Sequence, residues 1–195
     1  MFNLAHELIS EVEINGRAYQ IDMSFNNILL LFEMLEDDEM LWEIKVITAF
    51  KLLLDEVPEG DIAELATILN DLLKNVISEE SQKQKVYDIQ GNEIPAHLLN
   101  QEEDEDGGEY DLIEDAKYIY ASFMQDYGID LFEQHGKMHW YKFKALLAGL
   151  SEQTKFSRVM EIRNMPIPKG KGTGKQAEQV KKLKRAYALK KRGAK

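Results

Sequence analysis

The sequence predicts a mainly α protein, in which an N-terminal β-hairpin packs on a helical body and is followed by a C-terminal helical unit and a basic tail. Apolar residues recur at helical spacing through most of the chain, and one short alternating segment is centred on Asn-Gly. Of the 195 residues, 44% are hydrophobic, which is enough to build a core in one or two domains. The chain has no cysteine, which excludes disulfides and thiolate metal sites and suits a reducing compartment.

Residues 11–21, EVEINGRAYQI, predict the hairpin. The Asn-Gly pair favours the positive φ angles of a two-residue type I′ turn. Such a turn places Ile14 opposite Arg17 and Val12 opposite Tyr19. A lone hairpin is marginally stable in water, so we expect its apolar face to cover the helices that follow.

Three amphipathic helices are predicted after the hairpin, to complete a unit of residues 1–78. Ser24 is expected to cap the first helix, and the second runs from about residue 40 to residue 55. Asp61 and Glu64 have the spacing of a capping box at the start of the third. The apolar stripes are Phe25, Ile28, Leu29, Phe32 and Leu35 in the first helix, and Ile62, Leu65, Ala66, Leu69, Leu72, Leu73 and Val76 in the third.

Residues 79–109 are polar and then acidic, which predicts a linker. Gln101–Gly108 consists almost wholly of acidic residues and glycine, and charges of one sign at that density resist compaction. Asp104, Asp106 and Glu109 offer oxygen ligands for calcium. Their spacing departs from that of an EF-hand loop, so the linker is the preferred interpretation.

Residues 110–165 predict a helical unit that contains two packed helices. Gly128 is expected to end the first helix, and Asp130 to accept hydrogen bonds from the amides of the following turn. The first apolar stripe is Ala116, Ile119, Tyr120, Phe123, Met124 and Tyr127, and the second is Trp140, Phe143, Leu146, Leu147 and Leu150. We assign Trp140 and Phe143 to the core.

Residues 166–195 predict a flexible basic tail. Nine Lys, two Arg and one Glu give residues 169–195 a net charge of +10, which leaves −21 for residues 1–168 of a chain whose net charge is −11. Glycines after two prolines indicate a flexible joint. Beyond the joint, a helix is expected to carry a narrow apolar stripe of Ala177, Val180, Leu183 and Tyr187. Such a segment fits an acidic protein partner, nucleic acid or solvated disorder.

Two motifs resemble cofactor sites, and both are incomplete. His135 and His139 have the spacing of a zinc-binding pair, but Gly136 occupies the position at which the HExxH motif needs glutamate. Gly170–Lys175 resembles a phosphate-binding loop, but its glycine spacing differs and Gln176 replaces the required Ser or Thr. No nucleophile and base stand out either. The sequence therefore predicts no cofactor, no metal and no enzymatic activity.

Four strings in the C-terminal half resemble one protein family. The strings are Asp115-Ala116, Ile119–Phe123 (IYASF), Tyr127–Leu131 (YGIDL) and His139–Leu147 (HWYKFKALL), the last followed by Gly149-Leu150. Together they are similar to the phage family known as gene product fifteen, whose members belong to the tail modules of siphophages and prophages of Gram-positive bacteria. The resemblance is best over residues 110–165 and looser over the hairpin and first helices. It implies a tail-assembly chaperone in the cytoplasm of the bacterial host.

The partner that the resemblance implies is the phage tape-measure protein, with the tail-tube protein and a second copy of this chain as further candidates. The chaperone would cover the apolar faces of the tape-measure protein until tail-tube subunits replace it. One alternative is a structural tail or connector component that is retained in the virion. A second is an accessory protein that binds nucleic acid through the basic tail alone, because the acidic body repels phosphate.

Secretion and membrane contact are not expected. The first residues lack a basic start, and no apolar stretch approaches the roughly 20 residues that a membrane span requires. The candidate partner-binding residues are Tyr141, Leu183, Tyr187, Lys181, Lys182, Lys184 and Arg185.

Overall fold

The structure is a computed structural model that describes residues 3–78, 110–170 and 173–190. The predicted linker at residues 79–109, with its acidic run and the calcium alternative, lies outside these ranges. Within them the chain is mainly helical with one N-terminal hairpin, which confirms the predicted fold class.

The chain divides into two compact units that are not contiguous in sequence. The described residues within Met1–Met23 and Met34–Gly107 form the first unit, and those within Ser24–Glu33 and Gly108–Lys195 form the second. The sequence predicts that Ser24–Glu33 groups with the hairpin. In the structure this segment belongs to the second unit, where the Phe25 amide donates a hydrogen bond to the carbonyl of Met138 at 2.9 Å.

The hairpin of the first unit has the predicted turn and register. Strand β1, Glu11–Ile14, pairs antiparallel with strand β2, Arg17–Gln20, so that Val12 lies opposite Tyr19. The two turn residues have φ angles of 52° and 78°, as a type I′ turn requires. One face of the hairpin is buried, through Ile14, Tyr19 and the following Ile21.

Helices α1, Phe25–Glu36, α2, Trp42–Leu54, and α3, Ile62–Leu72, follow the hairpin. The predicted cap of α3 is confirmed, because Oδ1 of Asp61 accepts hydrogen bonds from the second and third amides of the helix at 3.0 and 2.9 Å. A π-helical turn, Leu73–Ile77, continues α3. The core of these elements contains Val46, Ala49, Phe50, Leu53 and Leu54 from α2, and Leu65, Leu69 and Leu72 from α3.

The second unit has four helices in its described part C-terminal to residue 110, whereas the sequence analysis expected two packed helices and a tail helix. They are α4, Ala116–Tyr127, α5, Trp140–Ala148, α6, Lys155–Asn164, and α7, Gly174–Tyr187. A short 3-10 turn, Phe132–Gln134, precedes α5.

The core of the second unit is built around the ring of Phe143. Its centroid lies 5.0 Å from that of Phe25, 5.4 Å from that of Phe123 and 5.6 Å from that of Trp140, and the planes are nearly parallel in each pair. Offset stacking of this kind adds to the free energy gained by burying the rings. Phe143 and Trp140 are both buried, which confirms their assignment to the core.

The turn after α4 was predicted correctly, whereas the buried face of α4 was predicted only in part. Gly128 ends the helix with a φ angle of 63°, and Oδ1 of Asp130 accepts a hydrogen bond from the amide of Phe132 at 2.9 Å. Ala116 and Met124 were expected in the core and are exposed. Ile119 and Phe123 of the predicted stripe are buried, which confirms that part of it. Ser122 is buried as well, because α6 packs on this side and its Phe156 amide donates to Oγ of Ser122 at 3.0 Å.

Candidate interaction surfaces

Tyr141 was expected at the protein surface, and this placement is wrong. Its side chain is only 2% exposed. Trp140, Tyr141 and Phe143 point in different directions from α5 and are all buried, so this helix is enclosed on more than one side. The Tyr141 ring lies 4.9 Å from that of His139, and Nζ of Lys144 lies 5.0 Å from its centroid. In this conformation Tyr141 cannot contact a partner.

The two histidines that suggested zinc have structural contacts. Nδ1 of His139 accepts a hydrogen bond from the amide of Tyr141 at 3.0 Å and so caps α5. The His135 ring packs against the rings of Phe25 and Phe132, each at 5.7 Å. Among the residues that the structure describes, no three His, Cys, Asp or Glu side chains form a group that could hold a metal ion.

The other candidate partner-binding residues lie on α7, which contacts α4 and α6. Lys181, Lys182, Leu183 and Arg185 are exposed, and Lys184 and Tyr187 are half-buried. Nζ of Lys184 donates a hydrogen bond to the carbonyl of Met165 at 3.1 Å. The mobility of the basic tail stays a prediction, but the described contacts show that α7 has a docked position.

Tyr187 makes the central contact between α7 and the rest of the second unit. Its hydroxyl accepts a hydrogen bond from Nζ of Lys155 at 2.8 Å, and the same ammonium lies 4.7 Å from its ring centroid. The Tyr118 ring of α4 lies 6.2 Å from that of Tyr187. Just beyond the helix, the Lys190 amide donates to Oε2 of Glu114 at 2.9 Å. Aromatic and cationic side chains therefore dominate this contact.

A buried ion pair lies beside this contact, and no motif or spacing in the sequence predicts it. Arg163 donates from Nη1 and Nη2 to the two carboxylate oxygens of Asp115, at 2.7 and 2.8 Å, and Asp115 is 1% exposed. Nε of Arg163 donates to the carbonyl of Tyr187 at 2.7 Å. Asp115 precedes the first turn of α4 and Tyr187 ends α7, so each charge lies at the helix end whose dipole favours it.

The α2 surface, which we define as Leu41, Ile44 and Ile47, is an apolar surface in the described part of the first unit. These residues recur at every third position and are 65%, 49% and 39% exposed, whereas the opposite side of α2 lies in the core. The acidic run Glu36–Glu39 precedes the helix and Glu43 lies in its first turn. An apolar surface with acidic neighbours suits a partner that is apolar and basic.

The second unit also has an aromatic pair at its surface, formed by the half-buried Tyr120 and the exposed Phe132. Phe132 is 70% exposed, and its ring centroid lies 5.4 Å from that of Tyr120. The Tyr120 hydroxyl donates to Oδ2 of Asp130 at 3.3 Å. Desolvation raises the pKa of Tyr120 above its usual value, and the negative charges of Asp130 and Glu133 raise it further.

Comparison with known proteins gives one family. The model of the Bacteriophage Gp15 protein family matches residues 4–189, which is nearly the whole chain, and so extends well beyond the strings that suggested it. No curated protein and no solved structure matches the chain. Within the described ranges, no helix is long and apolar enough to cross a membrane. The α2 surface and the docked α7 both lie inside the matched residues, and on this match the chain belongs to the Bacteriophage Gp15 protein family.

Proposed function

We propose that this phage protein is a tail morphogenesis factor, an assembly chaperone that binds the tape-measure protein in the cytoplasm of the bacterial host. The observation that carries the proposal is the α2 surface. Its three apolar side chains are between 39% and 65% exposed, at the start and along one side of a helix whose other side is well packed. Apolar side chains grouped in this way are typical of a protein-binding surface.

The size of the α2 surface suits a reversible contact. Full burial of one aliphatic side chain contributes about 1.5–3 kcal/mol, so covering side chains that are already half-buried contributes roughly 1 kcal/mol each. The loss of translational and rotational freedom on association opposes this gain. A protein that binds the same partner more tightly can displace a contact of this strength. A chaperone that tail-tube subunits are to displace must bind its partner in this reversible way.

The charges beside the α2 surface indicate the chemistry of the partner segment. Glu36–Glu39 and Glu43 lie toward the N-terminal end of α2, and Lys51 lies in its last turn. A partner helix with basic residues at one end would align with this gradient. Complementary charges of this kind mainly raise the association rate and set the orientation.

The proposal is tested by co-expression of the full chain with the tape-measure protein of the same phage. In the double variant Ile44→Ser, Ile47→Ser we expect the tape-measure protein to lose solubility and to stop co-purifying. Ile167→Ser is the matched control, because Ile167 is 38% exposed but lies in the second unit. Thermal melts must show that both variants fold. A double variant that holds the tape-measure protein as well as the parent would refute the role of the α2 surface.

Mass spectrometry of purified virions separates a chaperone from a structural tail or connector component. We expect the protein to be absent from virions or strongly depleted relative to tail proteins. A stoichiometric amount in mature particles would support the structural alternative and overturn the chaperone proposal.

A further inference from the structure

Helix α7 is held on α4 and α6 by contacts that bury little apolar surface. None of its described residues is fully buried, and its stripe residues Ala177, Val180 and Tyr187 are only half-buried. The contacts are the Lys155 ammonium on Tyr187, the Arg163 guanidinium on the Tyr187 carbonyl, the Lys184 ammonium on a carbonyl and the Lys190 amide on Glu114. Exposed polar and cation–π contacts each contribute about 1 kcal/mol or less, and the half-buried Arg163 hydrogen bond contributes about 1.5–3 kcal/mol. Such a contact exchanges readily.

The α7-binding surface, which we define as Glu114, Tyr118, Lys155 and Arg163, has two members that contacts outside α7 hold in place. Arg163 is held by both oxygens of the buried Asp115 carboxylate. The backbone at Glu114 is also fixed, because its amide donates to Oδ1 of Asp111 at 2.7 Å. A partner would therefore meet a surface that is already partly organised, and this lowers the entropic cost of binding.

The fit between α7 and this surface is incomplete. A cleft of about 260 Å³ remains between them, lined by Glu114, Tyr118, Arg163 and Tyr187 among others. The segment that joins α6 to α7 is short, so the effective concentration of α7 is on the order of millimolar. At that concentration even a weak contact is enough to dock α7 within its own chain.

We propose that the α7-binding surface is an interaction site for a helix that ends in tyrosine and carries a lysine in its last turn, supplied by a partner protein, and that α7 occupies it until that helix displaces it. The docked α7 defines the chemistry of the ligand. At the C-terminus of α7, the Tyr187 carbonyl accepts a hydrogen bond from the Arg163 guanidinium, and the Tyr187 hydroxyl accepts one from the Lys155 ammonium. The Lys184 ammonium of α7 donates to the Met165 carbonyl. This site is separate from the α2 surface and does not depend on the chaperone proposal.

The first test measures the release of α7 in the full chain. The chain has no cysteine, so Gln125→Cys on α4 and Gln179→Cys on α7 provide two unique label positions, both of them exposed. We expect a short distance between the two labels in this double-cysteine parent. When Lys184→Ala and Tyr187→Ala are added, we expect the labels to lie farther apart, because α7 is released. A distance distribution that these two changes leave unaltered would overturn the proposal. Equal melting temperatures must show that the rest of the chain stays folded.

The second test adds the missing helix back as a synthetic peptide of residues 173–190. We expect the released full-length variant to bind this peptide with a Kd below about 1 mM, the range that docking at millimolar effective concentration requires. Lys155→Ala should weaken binding about fivefold, as expected for a lost cation–π contact. A peptide with alanine in place of its tyrosine is the matched control. No binding at this concentration, or equal binding of both peptides, would refute the proposal.

The oligomeric state provides the third test. A second copy of the chain would supply the same helix, so light scattering of the unaltered chain over a range of concentrations distinguishes the two sources. We expect a monomer whose α7 docks on its own unit. A dimer that dissociates when Tyr187 is replaced by alanine would assign the surface to a second copy instead of a partner protein.

Discussion

Replacement of Arg163 by methionine should destabilise the second unit strongly. Methionine keeps the length of the side chain but removes the guanidinium that donates to both oxygens of Asp115, at 2.7 and 2.8 Å. Asp115 is 1% exposed, so water cannot replace the lost donors. The remaining described donor to its side chain is the Asp111 amide at 3.1 Å. The variant therefore leaves a buried carboxylate with its charge uncompensated.

We expect this change to lower the free energy of unfolding by about 3–5 kcal/mol, the usual cost of removing one partner of a buried ion pair. In urea, with a slope of about 2 kcal/mol per molar, the midpoint should fall by roughly 2 M. The chain has two tryptophans, Trp42 in the first unit and the buried Trp140 in the second. With Trp42→Phe as the background, fluorescence reports the unfolding of the second unit.

Arg158→Met is the matched control, because Arg158 is exposed on the same helix. It should change the free energy of unfolding by no more than about 0.5 kcal/mol. Replacing Asp115 and Arg163 together with apolar residues should cost less than the sum of the single changes, since neither charge is then left alone. Equal urea midpoints for Arg163→Met and Arg158→Met would show that the buried ion pair does not stabilise the second unit.

Two further predictions concern aromatic residues of the second unit. Phe143→Ala should cost about 3–5 kcal/mol by leaving a cavity among three stacked rings, whereas Phe132→Ala, at a residue that is 70% exposed, should leave the melting temperature nearly unchanged. Desolvation, with a smaller contribution from Asp126, raises the pKa of Tyr127 above its usual 10.0. The stability that this shift contributes is complete below pH 10.0 and is lost as the pH rises through the folded-state pKa, so Tyr127→Phe should flatten the alkaline fall in urea stability.

Features that depend on a few neighbouring residues could be predicted from the sequence. The Asn-Gly turn set the hairpin register, Asp61 capped α3 through amides two and three residues away, and Gly128 ended α4 in the left-handed conformation. Each of these signals is chemical and local: a residue tolerates a positive φ angle, or a carboxylate reaches a free amide. Distant parts of the chain have little influence on them.

Features that depend on distant contacts could not be predicted in the same way. Asp115 and Arg163 are 48 residues apart, and neither helical period nor charge pattern indicates that they meet. Tyr141 resembles a surface tyrosine in a one-helix projection, because the apolar stripe of α5 runs through Trp140 and Phe143. It is buried because α5 is enclosed on more than one side.

The amphipathic pattern of a helix shows which residues are apolar, but burial depends on the elements that pack against it. On α4, the contact with α6 buries Ser122 and leaves Met124 exposed. On α2, the core buries one side and leaves Ile44 and Ile47 outside it. The apolar residues that are still exposed in the folded protein are therefore the proper candidates for partner contacts. By this criterion Ile44 and Ile47 replace Tyr141 as the residues to test first.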